Sequence, residues 1–155
     1  MRHWFLATLT AAAMSTAGYA QPHHETVTEG LEYPWSLAFL PDGRMLVTEK
    51  PGRLRVIDEA GLRAEAVSGV PDVLYSGQGG LLDVVLHPDF ATNQIIYLTW
   101  SEGEARDNTL KPGRGRLDGI ALVGFEAVFA AGPRRHTDVH HGARPAILPP
   151  THLLI

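Results

Sequence analysis

The sequence predicts an all-β fold, and two observations support this prediction. Short apolar runs alternate with turns rich in Gly, Pro and Asp, and no stretch after residue 25 keeps the period of a long helix. A unit of apolar strand, proline turn and apolar strand also recurs, with Pro41, Pro88 and Pro149 in its turns. Because a blade of a β-propeller repeats every 40–50 residues or so, this spacing predicts a propeller built from blades of about four strands.

The first copy of this unit predicts two strands, residues 35–40 and 45–49, joined by a tight turn at residues 41–44. The turn holds an Asp-Gly pair, which tolerates left-handed backbone conformations. A second hairpin is predicted where residues 52–57 run into a turn at residues 58–61.

The second copy predicts strands at residues 81–86 and 95–100. A further hairpin is predicted over residues 114–129, and a weaker third copy of the repeated unit over residues 146–155. The stretch between them, residues 101–113, is polar and contains Pro and Gly, so we expect it to form a loop.

Residues 77–90 are the most informative stretch of the chain. Gln78, with its side-chain amide, lies among three glycines, Gly77, Gly79 and Gly80, directly before an apolar run of strand length. Glycines permit positive φ angles and a close approach of the backbone to a ligand, so Gln78 is a candidate for the polar tip of a site loop. The alternative is a glycine-rich hairpin with an exposed glutamine.

The composition is that of an ordinary soluble domain. The chain has 155 residues, of which 45% are hydrophobic. Its formal net charge is -4, from 17 acidic and 13 basic residues, which argues against a nucleic-acid surface and gives no reason to expect binding to anionic membranes. There are no cysteines, so the sequence predicts a fold held by its core alone.

The start of the chain has the pattern of a secretory signal. Residues 1–20 combine a short basic start, an apolar centre and a small-x-small cleavage site ending at Ala20. We therefore expect cleavage near Ala20, a flexible tail at residues 21–29 and a periplasmic or secreted protein. A membrane anchor is the alternative, but hydroxyl residues interrupt the apolar stretch and it is short for a membrane span.

Three stretches, residues 33–49, 77–90 and 114–117, resemble in order the glucose/sorbosone dehydrogenases, the soluble PQQ-dependent aldose sugar dehydrogenases of bacterial periplasms. The similarity runs from about residue 30 through residue 129 and resumes at His140. The resemblance implies a six-bladed β-propeller that binds pyrroloquinoline quinone (PQQ) and calcium at one end of its axis. It also implies an aldose substrate whose C1 hydroxyl is oxidised to a lactone.

The resemblance extends to candidate site residues. A family motif of the type His-x-Gly-Ser-Arg matches residues 140–144, which implies that His140 is the general base and Arg144 a substrate-binding residue. The glutamine of the motif Gly-Gln-x-Gly-Leu-Leu corresponds to Gln78, which implies a place beside the sugar. An imidazole suits proton removal from a hydroxyl at neutral pH, and an amide orients sugar hydroxyls without charge.

Residues 30–155 are expected to form the N-terminal two to three blades of such a propeller, truncated at the C-terminus. In the family, the residues that hold PQQ and calcium lie mostly in later blades, so the sequence assigns no cofactor or metal ligand. The expectation is an inactive fragment of an aldose dehydrogenase.

Two other readings stay open at this point. On a strand, His136, Asp138 and His140 would point to one face, and two imidazoles with one carboxylate suit iron or zinc, as in a small cupin-like metalloprotein. The other is a non-enzymatic β-propeller-like binding module, because one fold serves many functions.

Overall fold

The computed structural model describes residues 23–148 and 152–154. The predicted leader, residues 1–20, lies outside this part of the chain. The described elements, in chain order, are β1 Pro34–Phe39, β2 Met45–Glu49, β3 Arg53–Asp58, β4 Gly61–Leu62, β5 Leu81–Leu86, α1 Phe90–Asn93, β6 Ile95–Glu104, β7 Asp107–Asp118, β8 Ala121–Ala127, β9 Ala146–Leu148 and β10 His152–Leu154.

The strands form two four-stranded antiparallel sheets, in the orders β1-β2-β3-β4 and β5-β6-β7-β8. Each sheet is a meander in which sequence neighbours pair, as expected for a propeller blade. The predicted all-β fold is confirmed. β9 and β10 form an additional hairpin, which confirms the two strands of the third copy, while its turn at residues 149–151 lies outside the described residues.

The turn of the first copy forms as its residues predict. Gly43 has a φ of 89°, and its amide donates to the Leu40 carbonyl at 3.0 Å. The Leu40 amide in turn donates to the Arg44 carbonyl at 2.8 Å. This closed turn aligns β1 and β2 so that Leu37 pairs with Val47.

The prediction of a loop over residues 101–113 is wrong. β6 and β7 form one long hairpin, paired from Ile95 and Arg116 at one end to Glu104 and Asp107 at the other. Three polar residues within it, Ser101, Asn108 and Thr109, are buried and donate side-chain hydrogen bonds to backbone carbonyls. Asn108 is fully buried, and its Nδ2 donates to the carbonyls of Glu104, Ala105 and Thr137 at 3.1, 3.1 and 2.9 Å.

The main core lies between the two sheets, where β1 and β2 pack against β5. In β3 and β6, alternate residues point into it, which is the side-chain period of a strand. Its fully buried members are Leu46, Leu54, Val56, Leu81, Ile96 and Leu98. Among the described residues, no helix has the length and apolar character needed to cross a membrane.

Gly80, directly before β5, packs against the backbone of Lys50, directly after β2. Its φ is 142°, and a β-carbon there would collide with the Lys50 carbonyl, which accepts a hydrogen bond from the Leu81 amide at 3.0 Å. We expect Gly80→Ala to lower the free energy of unfolding by about 2–4 kcal/mol, because backbone strain at this φ adds to the collision of the new methyl group with Lys50. Urea unfolding of the purified chain measures this change.

Gly119→Ala is the matched control. Gly119 also has a positive φ, 61°, but a β-carbon there meets nothing within 4 Å. Gly119→Ala should therefore lower the free energy of unfolding by only about 1 kcal/mol, the cost of a side chain at a positive φ. Equal losses in the two variants would show that the contact with Lys50 does not restrain the loop.

Candidate functional site

The glycine loop before β5 is docked onto the segment that contains residues 138–140. The backbone amide of Gln78 donates to the backbone carbonyl of Asp138 at 2.8 Å, and the Ser76 hydroxyl donates to Asp138 Oδ2 at 2.7 Å. A β-carbon on Gly77 would lie 2.6 Å from the Asp138 carbonyl oxygen, so glycine is required for this close approach. The loop is thus positioned by hydrogen bonds to residues distant in sequence.

Gln78 and His140, two residues singled out from the sequence, meet at this junction. The backbone amide of His140 donates to Gln78 Oε1 at 2.6 Å. His140 has a φ of 63°, a left-handed conformation that is uncommon for a residue other than glycine. Its carbonyl accepts a hydrogen bond from Arg135 Nη1 at 2.6 Å, and the residue is exposed to solvent. We refer to Gln78 and His140 together as the Gln78–His140 corner.

Further contacts hold the loop from the side of the sheets. Lys50 Nζ donates to the Gly77 carbonyl at 3.0 Å, and the Gly80 amide donates to Ser101 Oγ at 2.7 Å. Since Lys50 follows β2 and Ser101 lies on β6, both sheets fix the position of Gln78.

Arg144 pairs with a buried carboxylate. Its Nε lies 3.3 Å from Asp83 Oδ2, while 85% of the Arg144 side chain is exposed. Asp83 is on β5 and also accepts hydrogen bonds from the Ser36 hydroxyl and from the Val84 amide. The buried Asp83 therefore positions Arg144, which presents its remaining donors outward.

His141 is the unexpected member of this segment. It is 5% exposed, and both of its ring nitrogens are buried without a hydrogen-bond partner among the described residues. Burial lowers the pKa of the imidazole, and the positive charges of Arg135 and Lys50 act in the same direction. Asp138 opposes these effects without reversing them, so the ring is neutral at physiological pH.

We expect His141 to make the stability of the chain depend on pH. Because its pKa is lowered in the folded chain, the unfolded chain binds the proton more readily, and stability falls as the pH drops below the ordinary value of about 6.5. His141→Phe should melt with less dependence on pH between 8 and 5, which thermal unfolding at several pH values measures. His136→Ala, at an exposed position, should keep the parent dependence. An unchanged pH slope in His141→Phe would contradict this account.

A cavity of about 360 Å³ lies beside the corner, lined by Trp35, Asp83, His141, Gly142, Ala143 and Arg144. Its wall combines an aromatic ring, an ion pair and an unpartnered imidazole. PQQ is a planar quinone that carries carboxylates, and an exposed guanidinium held by a buried aspartate suits one of them. The residues present thus fit an anionic edge of this cofactor through Arg144.

The metal-site reading is not supported by the geometry. Residues 136–140 do not form a strand, so their side chains do not alternate as that reading requires. His136 Nδ1 bonds to the Arg106 carbonyl at 3.0 Å, while the Asp138 carboxylate is bonded to Ser76. Within residues 23–148 and 152–154, no three His, Asp or Glu side chains are grouped to hold a metal ion.

Two residues at the site were missed by sequence reasoning. Asp83 interrupts the apolar run of β5, and a carboxylate within a buried strand is a signal that could have identified it. His141 gave no such signal, because its burial depends on packing against residues far away in sequence.

Two four-stranded meander sheets with a glycine loop at one end of them define the chain as part of a β-propeller. The glucose/sorbosone dehydrogenase family model matches residues 31–155, and the chain belongs to that family.

Named relatives agree with this assignment. The chain is 42% identical to the aldose sugar dehydrogenase YliI of Escherichia coli over 138 residues, which are 84% of this chain and 37% of the relative. The crystal structure of the apo-form of the soluble aldose sugar dehydrogenase from Escherichia coli matches with a TM-score of 0.75 and 44% identity, over 79% of this chain and 37% of that one.

The PQQ-bound aldose sugar dehydrogenase of Streptomyces coelicolor matches with a TM-score of 0.66 and 32% identity, over 83% of this chain and 39% of that one. The chain therefore spans between a third and two-fifths of the length of these relatives.

Proposed function

We propose that this chain supplies the sugar-oxidising corner of a PQQ-dependent aldose dehydrogenase. The observation that carries the proposal is the 2.6 Å hydrogen bond between the His140 amide and Gln78 Oε1, which joins the two motifs of the resemblance in space. Relatives named as aldose sugar dehydrogenases, one of them bound to PQQ, support the substrate and the cofactor.

In this proposal, His140 is the general base. Its side chain is exposed beside the glycine loop, so a sugar can approach the ring. A ring nitrogen accepts the proton of the C1 hydroxyl as the hydride leaves C1, which gives the lactone. When bound, PQQ supplies the two-electron acceptor for that hydride.

Gln78 is the orienting residue. Because its Oε1 already accepts the His140 amide, its Nε2 is the group left to donate to a sugar hydroxyl. Arg144, at the wall of the cavity, would hold a carboxylate of PQQ in addition to contacting the sugar. We assign no calcium ligand, because no three His, Asp or Glu side chains are grouped among the described residues.

The leader at residues 1–20 and a periplasmic or secreted location belong to this proposal as predictions. The described residues form two blades and contribute one corner of the site, whereas propellers contain about four to eight blades. We therefore expect the isolated chain to show no turnover of its own.

A chimera tests the proposal. Residues 31–155 replace the matching segment of the Escherichia coli relative, and sugar-dependent dye reduction is measured after PQQ and calcium are added. We expect the chimera to oxidise an aldose and the isolated chain to be inactive.

Two outcomes would contradict the proposal. One is a folded chimera that binds PQQ but reduces no dye with any aldose. The other is dye reduction that is equally fast when sugar is left out. Circular dichroism and the absorbance of bound PQQ establish that the chimera is folded and loaded before the assay.

A further inference from the structure

Three aromatic side chains are exposed near the corner, and we call them the aromatic rim: Tyr33, Trp35 and Tyr75. They are 63%, 47% and 46% exposed. Single exposed aromatics are common on proteins, but adjacent ones form a patch that requires an explanation. The ring centroids of Tyr33 and Tyr75 are 6.1 Å apart at an interplanar angle of 46°, so these two rings are neighbours.

The Lys50 ammonium lies near two of these rings, those of Trp35 and Tyr75. Its Nζ lies 5.8 Å from the ring centroid of Trp35 and 5.8 Å from that of Tyr75. The same ammonium donates to the Gly77 carbonyl at 3.0 Å. Cation–π attraction therefore ties two rings of the rim to the loop that carries Gln78.

The backbone at Tyr33 is also held in an unusual conformation. Its φ is 48°, in the left-handed region, and its carbonyl accepts a hydrogen bond from the Lys50 amide at 3.1 Å. Non-glycine residues in this region persist where the surrounding structure imposes them, and they concentrate at functional sites. His140, at the same end of the sheets, shares this conformation.

The rim is continuous with the candidate site. Tyr75 is three residues before Gln78 on the same loop, and Trp35 forms part of the wall of the 360 Å³ cavity beside Arg144. A ligand that fills the cavity would thus meet the rim as it extends outward.

From this arrangement we propose that the aromatic rim binds a second sugar ring of an oligosaccharide whose reducing end lies at the Gln78–His140 corner. The inference rests on the proposed function for the direction in which the saccharide lies. The C–H faces of a pyranose are apolar and its edge carries hydroxyls, so flat rings with a polar tip, such as Tyr and Trp, suit it. The ammonium of Lys50 adds a hydrogen-bond donor for those hydroxyls.

The test is a fluorescence titration of the purified chain that begins at residue 21, after the predicted leader and its Trp4. Trp35 and Trp100 are then the remaining indoles, and Trp100 is buried, so sugar-dependent changes report on Trp35. The probes are methyl glucoside, methyl maltoside and methyl cellobioside, none of which has a free C1 hydroxyl. We expect at least one disaccharide glycoside to bind about 2- to 10-fold more tightly than the monosaccharide glycoside.

Tyr75→Ala should abolish this preference, whereas Phe39→Ala, an exposed aromatic on the same strand as Trp35, should leave it unchanged. Equal affinity for all three probes, no response to any of them, or a preference that survives Tyr75→Ala would overturn the proposal. Since the probes cannot be oxidised at C1, the result is separate from catalysis. If the chain prefers disaccharides but the chimera does not oxidise sugars, the proposal for the aromatic rim stands and the proposed dehydrogenase function is contradicted.

Discussion

Replacing His140 with alanine is expected to lower kcat/KM for aldose oxidation by about 100- to 10,000-fold in the chimera, the usual contribution of a general base. The C1 hydroxyl would then lose its proton only to water. The backbone amide that contacts Gln78 remains in the alanine variant, so the position of the loop should not change. Initial rates of dye reduction over a range of pH measure both the loss and the change in the pH profile.

His136→Ala is the control for this substitution. His136 lies in the same segment and is exposed, but its ring bonds to the Arg106 carbonyl and does not face the glycine loop. It should keep nearly full activity. If His140→Ala retained the parent rate and pH profile, His140 would not be the base.

The second large effect concerns Glu49, a fully buried carboxylate at the end of β2. It accepts hydrogen bonds from Arg53 Nε at 2.6 Å and from the Glu32 backbone amide at 2.5 Å. Arg55 Nη1 lies 3.4 Å from Glu49 Oε2. We expect Glu49→Ala to lower the free energy of unfolding by about 3–5 kcal/mol, since Arg53 and Arg55 would lose the buried negative charge that balances their positive charges. Urea unfolding at neutral pH measures this loss.

The pH dependence of this effect follows from the charges around Glu49. Burial raises the pKa of the carboxyl, but the hydrogen bonds from Arg53 and the Glu32 amide, with the charges of Arg53 and Arg55, outweigh it and hold the pKa below its ordinary value. The stabilisation is therefore complete above the ordinary value of about 4.5 and is lost as the pH falls through the lower folded value. The difference between parent and Glu49→Ala should shrink in acid.

Asp42→Ala provides the comparison at the surface. Asp42 pairs with Arg44 at 2.7 Å in an exposed turn, and such pairs contribute about 0–1 kcal/mol. Similar losses in the Asp42 and Glu49 variants would contradict the importance given to burial.

Much of the fold was accessible from sequence because each strand of the first copy has a strong local signal. Residues 35–40 and 45–49 were predicted as strands, and the structure has β1 at Pro34–Phe39 and β2 at Met45–Glu49. Apolar alternation and an Asp-Gly turn are properties of neighbouring residues, so they can be recognised without tertiary contacts.

The β6–β7 hairpin shows where that approach fails. Its polar residues suggested a loop, but Asn108 Nδ2 and the Ser101 hydroxyl donate to the carbonyls of Thr137 and Leu74, far away in sequence. Partners of this kind cannot be identified from local composition. The tertiary contacts determined the structure of this stretch, against its local propensity.

The candidate site was predicted in part for a related reason. Gln78 and His140 were identified by motif, and the structure places them in contact. Asp83 and His141 were not, because their roles depend on what packs around them. Arg144 was expected to bind the substrate, and that role stays a prediction. The structure places Arg144 in an ion pair with Asp83 beside the cavity.

The central claim is that the Gln78–His140 corner receives the oxidised end of a sugar. A crystal structure of the chimera with PQQ and a bound aldose tests it most directly. The account predicts the C1 hydroxyl oxygen within about 2.6–3.2 Å of a His140 ring nitrogen, with another hydroxyl bonded to Gln78 Nε2. A sugar bound with C1 beyond hydrogen-bond reach of His140 would contradict it.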